Sequence, residues 1–179
     1  EKELLIALPY RVGIWMSEID HTGDASSRVE ERIALEEILF KKGKGMFESA
    51  FIHEIMAETY IRQTQWSDWG ADAKGEAVLK ECKKACEIIT AKFGPNDLDA
   101  FKTSIMHIAT EVAVAYREFD KTASSGTKFT VKLWILIDKL IGMVIGEKYQ
   151  SDKVLNVSYE EDVGLHKLSE ALQMHAVHP

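Results

Sequence analysis

Cysteine and proline are scarce in this 179-residue chain, at two and three residues. A small secreted domain stapled by disulfides carries more cysteines, and Cys82 and Cys86 have no second Cys or His pair placed to complete a tetrahedral zinc site. They stand at i, i+4 in a stretch whose apolar positions run Val78, Cys82, Ala85, Cys86, Ile89 and Phe93, the spacing of one helix stripe. We therefore read both as small buried hydrophobes, in a protein kept in a reducing, cytoplasmic compartment.

Long apolar runs are missing as well. The most apolar stretch, Phe129 to Ile145, is interrupted by Lys132, Asp138 and Lys139, so it falls short of the roughly 20 predominantly apolar residues that cross a bilayer. It reads as a buried central helix, and no membrane span is expected. No basic-then-apolar leader opens the sequence, since Glu1-Lys2-Glu3 precedes a short run, Leu4 to Leu8, that Pro9 ends. Basic residues are the minority charge, 22 against 29 acidic, which leaves a formal charge of -7. Such a surface repels phosphate backbones and anionic lipid, and its basic residues are interspersed with acids rather than gathered in a stripe. Nucleic acid is excluded as a partner on these grounds, and cations are the ligand class attracted.

What is present is ordinary globular material, 46% apolar and 28% charged, long enough to bury one core without staples, so residues 1–179 form a single domain. No strand-like alternation is sustained between turn signals, and the class is all-α, a bundle of roughly six or seven helices. Pro9 suits the first turn of a helix running to about Ile19. A second helix is expected over about Ser27 to Phe40, a third over Met46 to Gln63, a fourth over Ala73 to Phe93. Trp66-Ser67-Asp68-Trp69-Gly70 breaks the pattern, with an indole laid across the bundle end, polar edge outward. Gly94-Pro95 reads as a left-handed stop, and Asn96 or Asp97 as the cap of a fifth helix reaching Phe119. Its narrow apolar face is Phe101, Ile105, Ile108, Val112 and Tyr116, which points His107 and Glu111 outward. The sixth is Lys128 to Ile145, and a last helix covers about Val163 to Ala176.

A shift of about 100 residues, read off the numbering, places Val12 on Val112, Glu18 on Glu118, Asp20 on Asp120 and Thr22 on Thr122 without a gap. Each copy reads as an apolar helix ending in Glu-x-Asp, a polar loop and a second apolar helix, so two pseudo-repeated helical hairpins are expected. The run Tyr10-Arg11-Val12-Gly13-Ile14-Trp15-Met16-Ser17-Glu18-Ile19-Asp20, followed by a polar loop and Glu30-Glu31, resembles the TerB-type tellurite-resistance domain. The resemblance implies an all-α, internally repeated bundle, a stress-response role, and metal binding by the acidic ends of its helices. The loop Asp20 to Ser27 is longer than the family pattern, and Thr127 and Lys128 stand in the second copy where an acid belongs.

The densest set of hard ligands is Glu18, Asp20, His21, Asp24, Glu30 and Glu31, with Glu118 and Asp120 as the second-copy counterparts. Oxygen donors of this kind suit Ca²⁺, Mg²⁺ or Mn²⁺, and the expected cofactor is a divalent ion, with Zn²⁺ kept beside these three. The competing account is local: Asp24 or Ser26 caps the second helix, and Glu30 and Glu31 favour its positive end. No EF-hand spacing can be laid on the loop. A ferritin-like di-metal redox site would need Glu-x-x-His on two helices, and only Glu18-Ile19-Asp20-His21 fits, with His53, Glu54, Glu58, His107 and Glu111 as supplements. His166, His175 and His178 decorate an exposed C-terminal segment. No Ser or Cys stands in a nucleophile elbow, and no Gly-rich loop follows a strand to hold phosphate, so the reading is non-catalytic. The expected function is a TerB-like, metal-associated stress-response or scaffold module. The alternatives are the ferritin-like protein and a plain helical module that pairs with a protein partner or as a homodimer through a surplus of apolar surface at Lys128 to Ile145 and the Trp66 and Trp69 pair.

Overall fold

The computed structural model describes residues 1–19, 33, 35–40, 49–115 and 159–174. Its first helix, α1 (Lys2–Ile19), is buried on every side, with Leu5, Ile6, Leu8, Tyr10, Val12, Trp15 and Met16 all inside. A helix that is apolar all round must be covered all round. The elements that cover it are α2 (Ala50–Ile61), α3 (Trp66–Ala71), α4 (Gly75–Lys92), α5 (Pro95–Ala115) and α6 (Tyr159–Ala171), each of which packs against α1. A 3₁₀ turn at Gln63–Gln65 leads into α3, and residues 35–40 add a further helical stretch. The architecture is thus an all-α bundle of six or seven helices, with no strand among the described residues. No helix among them is long and apolar enough to cross a membrane.

Several expectations about the elements are corrected. The first helix begins at Lys2, so Pro9 lies inside it and not in its first turn. An internal proline removes the donor that the carbonyl of Leu5 would receive and strains the preceding turn. At the next carbonyl along, Thr59 Oγ1 reaches across from α2 and lies 2.5 Å from the Ile6 oxygen, and 2.8 Å from that of Ile55 in its own helix. The Trp66 to Gly70 stretch is not a break but helix α3, and Trp66 points inward, stacked on Tyr10 at 4.7 Å between ring centroids. Its indole Nε1 donates to the Thr59 carbonyl at 2.9 Å. Trp69 is half-buried and packs against the same core. Trp66 therefore fills the bundle and supplies no part of the association patch expected of it, while Trp69 keeps part of its surface exposed.

Gly94 does not adopt the left-handed conformation, because α4 ends instead on an extended Phe93 (φ -130°, ψ 176°) and Pro95 becomes the first residue of α5. Asp97 lies inside that helix, and its carboxylate accepts from Ser49 Oγ at 2.6 Å, while Ser49 caps α2 by accepting from the Ile52 amide. The apolar face of α5 is broader than its sequence stripe, since Met106, Ala109 and Ala113 are buried beside Phe101, Ile105, Ile108 and Val112. Contact with α1, α2, α4 and α6 accounts for this, and it brings His107 inside at 7% exposure, where an outward position was expected. The last helix starts at Tyr159, earlier than expected, and ends at Ala171, with Gln173 beyond it at φ +54°. The Lys128 to Ile145 stretch and the second copy of the pseudo-repeat beyond Ala115 lie outside the described residues.

Candidate functional site

The end of α1 carries the one acidic-cluster residue that the structure describes. Glu18 is exposed in its last turn, which contains no basic residue to offset the negative C-terminal end of the helix. Asp20, Asp24, Glu30, Glu31, Glu118 and Asp120 lie outside the described residues, as does His21. Among the described residues, no three His, Cys, Asp or Glu side chains come together as a metal-binding group.

Glu18 stands at the lip of a cleft of about 950 Å³ between the end of α1, the first half of α4 and the length of α6. These three helices all touch one another, and the cleft opens where they diverge. Its floor is apolar and partly exposed, formed by Ile19, Leu79 and Val163, with the Tyr159 ring standing 72% exposed at one end. Gly164 lets α6 approach α1, since a Cβ there would run into Ile19 Cδ1. The helix period explains which side chains face in: Glu76, Leu79, Lys80 and Lys83 share one face of α4, and Glu160, Val163, Lys167 and Glu170 share one face of α6.

The charges on the two walls differ in sign. Lys74, Lys80 and Lys83 outnumber Glu76 on the α4 side, whereas Glu18, Glu160 and Glu170 outnumber Lys167 on the side made by α1 and α6. Glu170 has a neighbour on its own helix, His166 Nε2 at 3.7 Å. The side chains of the other seven make no ion pair or hydrogen bond among the described residues.

A second cavity, of about 260 Å³ between α1, α2 and α4, is the reverse case. Leu5, Ile6, Ile55 and Ile88 line it, the Phe51 and Phe93 rings meet at 4.0 Å beside it, and its charged rim is neutralised. Lys2 pairs with Glu54 at 3.2 Å, Arg62 with Glu58 at 2.9 Å, and Lys92 with Glu1. Lys92 holds the Glu1 carboxyl below its usual range, and Glu58 raises the Arg62 guanidinium. Two of the carboxylates considered for a di-metal site, Glu54 and Glu58, are thus engaged by basic side chains. His107 Nε2 lies 3.9 Å from Glu111 Oε1 on the same helix, and His53 is half-buried on α2.

Cys82 and Cys86 are free and buried, as their stripe implies. Burial pushes the Cys82 thiol strongly up, with the neighbouring Cys86 and Glu81 adding to it. Burial raises Cys86 as well. Thiols held protonated are poor nucleophiles. Arg11, inside the first run of resemblance, is a positioning residue for the fold: it holds Glu81 of α4 and the carbonyls of Trp69 and Asp72 at the end of α3.

The sequence reading placed Glu18 but missed the rest of the cleft. The signal available was the spacing Glu76, Lys80, Lys83 opposite the apolar stripe of α4, and Glu160, Lys167, Glu170 on α6, two ordinary solvated faces until α1 sets them across from each other. Comparison with known proteins yields no matching family model, no similar curated protein and no similar solved structure.

Proposed function

We propose that the chain is a non-catalytic, cytoplasmic helical module of the TerB-like kind, which binds a divalent cation at the end of α1 and docks a protein partner along the adjoining cleft. The observation that carries this reading is the position of Glu18: exposed, unpaired among the described residues, and set where the helix's own carbonyl end is negative. Asp20, Asp24, Glu30 and Glu31 follow it closely in sequence and supply further oxygen donors of the type that Ca²⁺, Mg²⁺ and Mn²⁺ prefer. The buried, protonated cysteines support a binding role over nucleophilic catalysis. The stress-response role follows from the resemblance of the Tyr10 to Asp20 run.

Calorimetric titration with Ca²⁺, Mn²⁺, Mg²⁺ and Zn²⁺ tests the cation site. Saturable binding of one ion is expected, abolished by Glu18→Gln or by Asp20→Asn with Glu31→Gln. Weak, non-saturating heats, or binding that those variants leave unaltered, would reject it.

A further inference from the structure

The cleft and the small cavity are both bordered by charged side chains, yet in the cleft all but Glu170, which has His166 beside it, stand without an ion pair among the described residues. Around the cavity, lysine, arginine and glutamate side chains satisfy one another. Around the cleft, three lysines and Glu76 line the α4 wall, three glutamates and Lys167 line the other, and no ion pair joins the two walls among the described residues. A side chain in water loses little by standing alone, so the arrangement costs the monomer nothing. It does define what fits between the walls. The occupant needs an apolar stripe for Ile19, Leu79 and Val163, acids along the edge that faces Lys74, Lys80 and Lys83, and bases along the edge that faces Glu18, Glu160 and Glu170.

We propose that this cleft seats an amphipathic helix of a partner protein, its apolar stripe on the floor and its two flanks oppositely charged. A helix laid in a groove is recognised through residues at i, i+3, i+4 and i+7, and a helix with side chains is about 10 Å across, so a cleft of about 950 Å³ accepts about two turns of one. A small polar molecule would leave the floor wet, and a polyanion would meet the acidic wall. Opposite signs on the two walls also fix the direction in which the helix lies, because reversing it would bring like charges together. The inference rests on the docking half of the function proposed above; because Glu18 would serve both the cation and the acidic wall, it is tested with the cation removed.

The test uses the full chain in the presence of a chelator and three synthetic peptides about four turns long, roughly 14 residues at 3.6 per turn. All three share one leucine stripe. One carries glutamates on one flank and lysines on the other, the second carries lysines on both, the third glutamates on both. The mixed peptide should bind about tenfold tighter than either of the others, and the margin should close at about 1 M salt. Lys80→Glu combined with Lys83→Glu, both exposed positions, should invert the preference in favour of the all-lysine peptide while leaving the thermal unfolding curve in place. Binding by none of the peptides, equal binding by all three, or a preference that the double variant does not change would overturn the proposal. So would self-association of the chain with the same sensitivity to the double variant, which would make the occupant a second copy. Because metal is absent throughout, failure here leaves the cation titration of Glu18→Gln to be judged separately, and success here does not depend on it.

Discussion

Arg11 and Glu81, seventy residues apart, meet in a two-pronged ion pair, with Nε 2.8 Å from Oε2 and Nη2 3.1 Å from Oε1. The same guanidinium donates to the Trp69 carbonyl at 2.6 Å and to that of Asp72 at 3.1 Å, so it ties α1, the end of α3 and α4 at a single point. The side chain of Arg11 is only 11% exposed. Removing it strands a partly buried carboxylate and two helix-terminal carbonyls, and Arg11→Ala should cost about 3 kcal/mol in urea unfolding. Arg11→Lys should still cost about 1–2 kcal/mol, because one ammonium cannot reproduce the planar fork. A lysine variant as stable as the parent would show that the fork geometry contributes nothing.

Two helix glycines at contact points should respond differently to alanine. A Cβ on Gly13 would meet Leu35 at Cδ1, Cδ2 and Cγ, the whole head of a buried side chain. At Gly164 the severe contact is the terminal Cδ1 of Ile19, which borders the cleft and has room to turn into it. Helix propensity favours alanine by about 1 kcal/mol at either position. Overpacking should outweigh that gain at Gly13, giving a net loss of about 1–2 kcal/mol, while Gly164→Ala should be close to neutral. Thermal unfolding of the two single variants decides it, and equal losses would contradict the packing difference.

The cysteines set a pH dependence. Burial raises both thiols, so the folded chain keeps protons that the unfolded chain releases above about pH 8.5. Their contribution to stability is complete below that pH and declines as pH rises through it, by about 1.4 kcal/mol per thiol for each further unit. Cys82→Ala with Cys86→Ala should therefore flatten the alkaline limb of a stability profile measured from pH 7 to 10. Identical alkaline slopes in parent and variant would show that the thiols are not as protected as their burial implies. Thiol labelling should likewise be slow in the folded chain and become rapid on unfolding.

Much of the fold could be read from the sequence where one helix faces one core. The Val78, Cys82, Ala85, Cys86, Ile89 stripe predicts α4 and its buried face, and the apolar run into Glu18 and Ile19 predicts where α1 ends. What failed depended on distant neighbours. Pro9 satisfies a local rule for a helix start, yet it lies buried inside α1, in a helix that five others enclose. The stripe of α5 alone points His107 outward, and four packed neighbours of that helix bury it. The polar run around Trp66 suggests a surface indole, yet Tyr10 and the Thr59 carbonyl hold it inside. The cleft shows the same limit from the functional side. Lys80 and Lys83 carry meaning only opposite Glu160 and Glu170, and no spacing within either helix reports that opposition.

The central place of α1 has a consequence for synthesis. Every described helix it packs against, from α2 at Ala50 to α6 at Tyr159, is encoded after it, so a helix that is buried on every side leaves the ribosome before any of them exists. The nascent chain cannot build its core outward from finished parts as it emerges. At translation rates of about 5–20 residues per second, α1 waits several seconds with Leu5, Leu8, Val12 and Met16 uncovered. Those seconds are the interval in which holding chaperones or premature aggregation compete for the chain, and stalled nascent chains in which α1 has cleared the exit tunnel but α2 has not should bind such chaperones more strongly than chains in which Ala115 has also emerged.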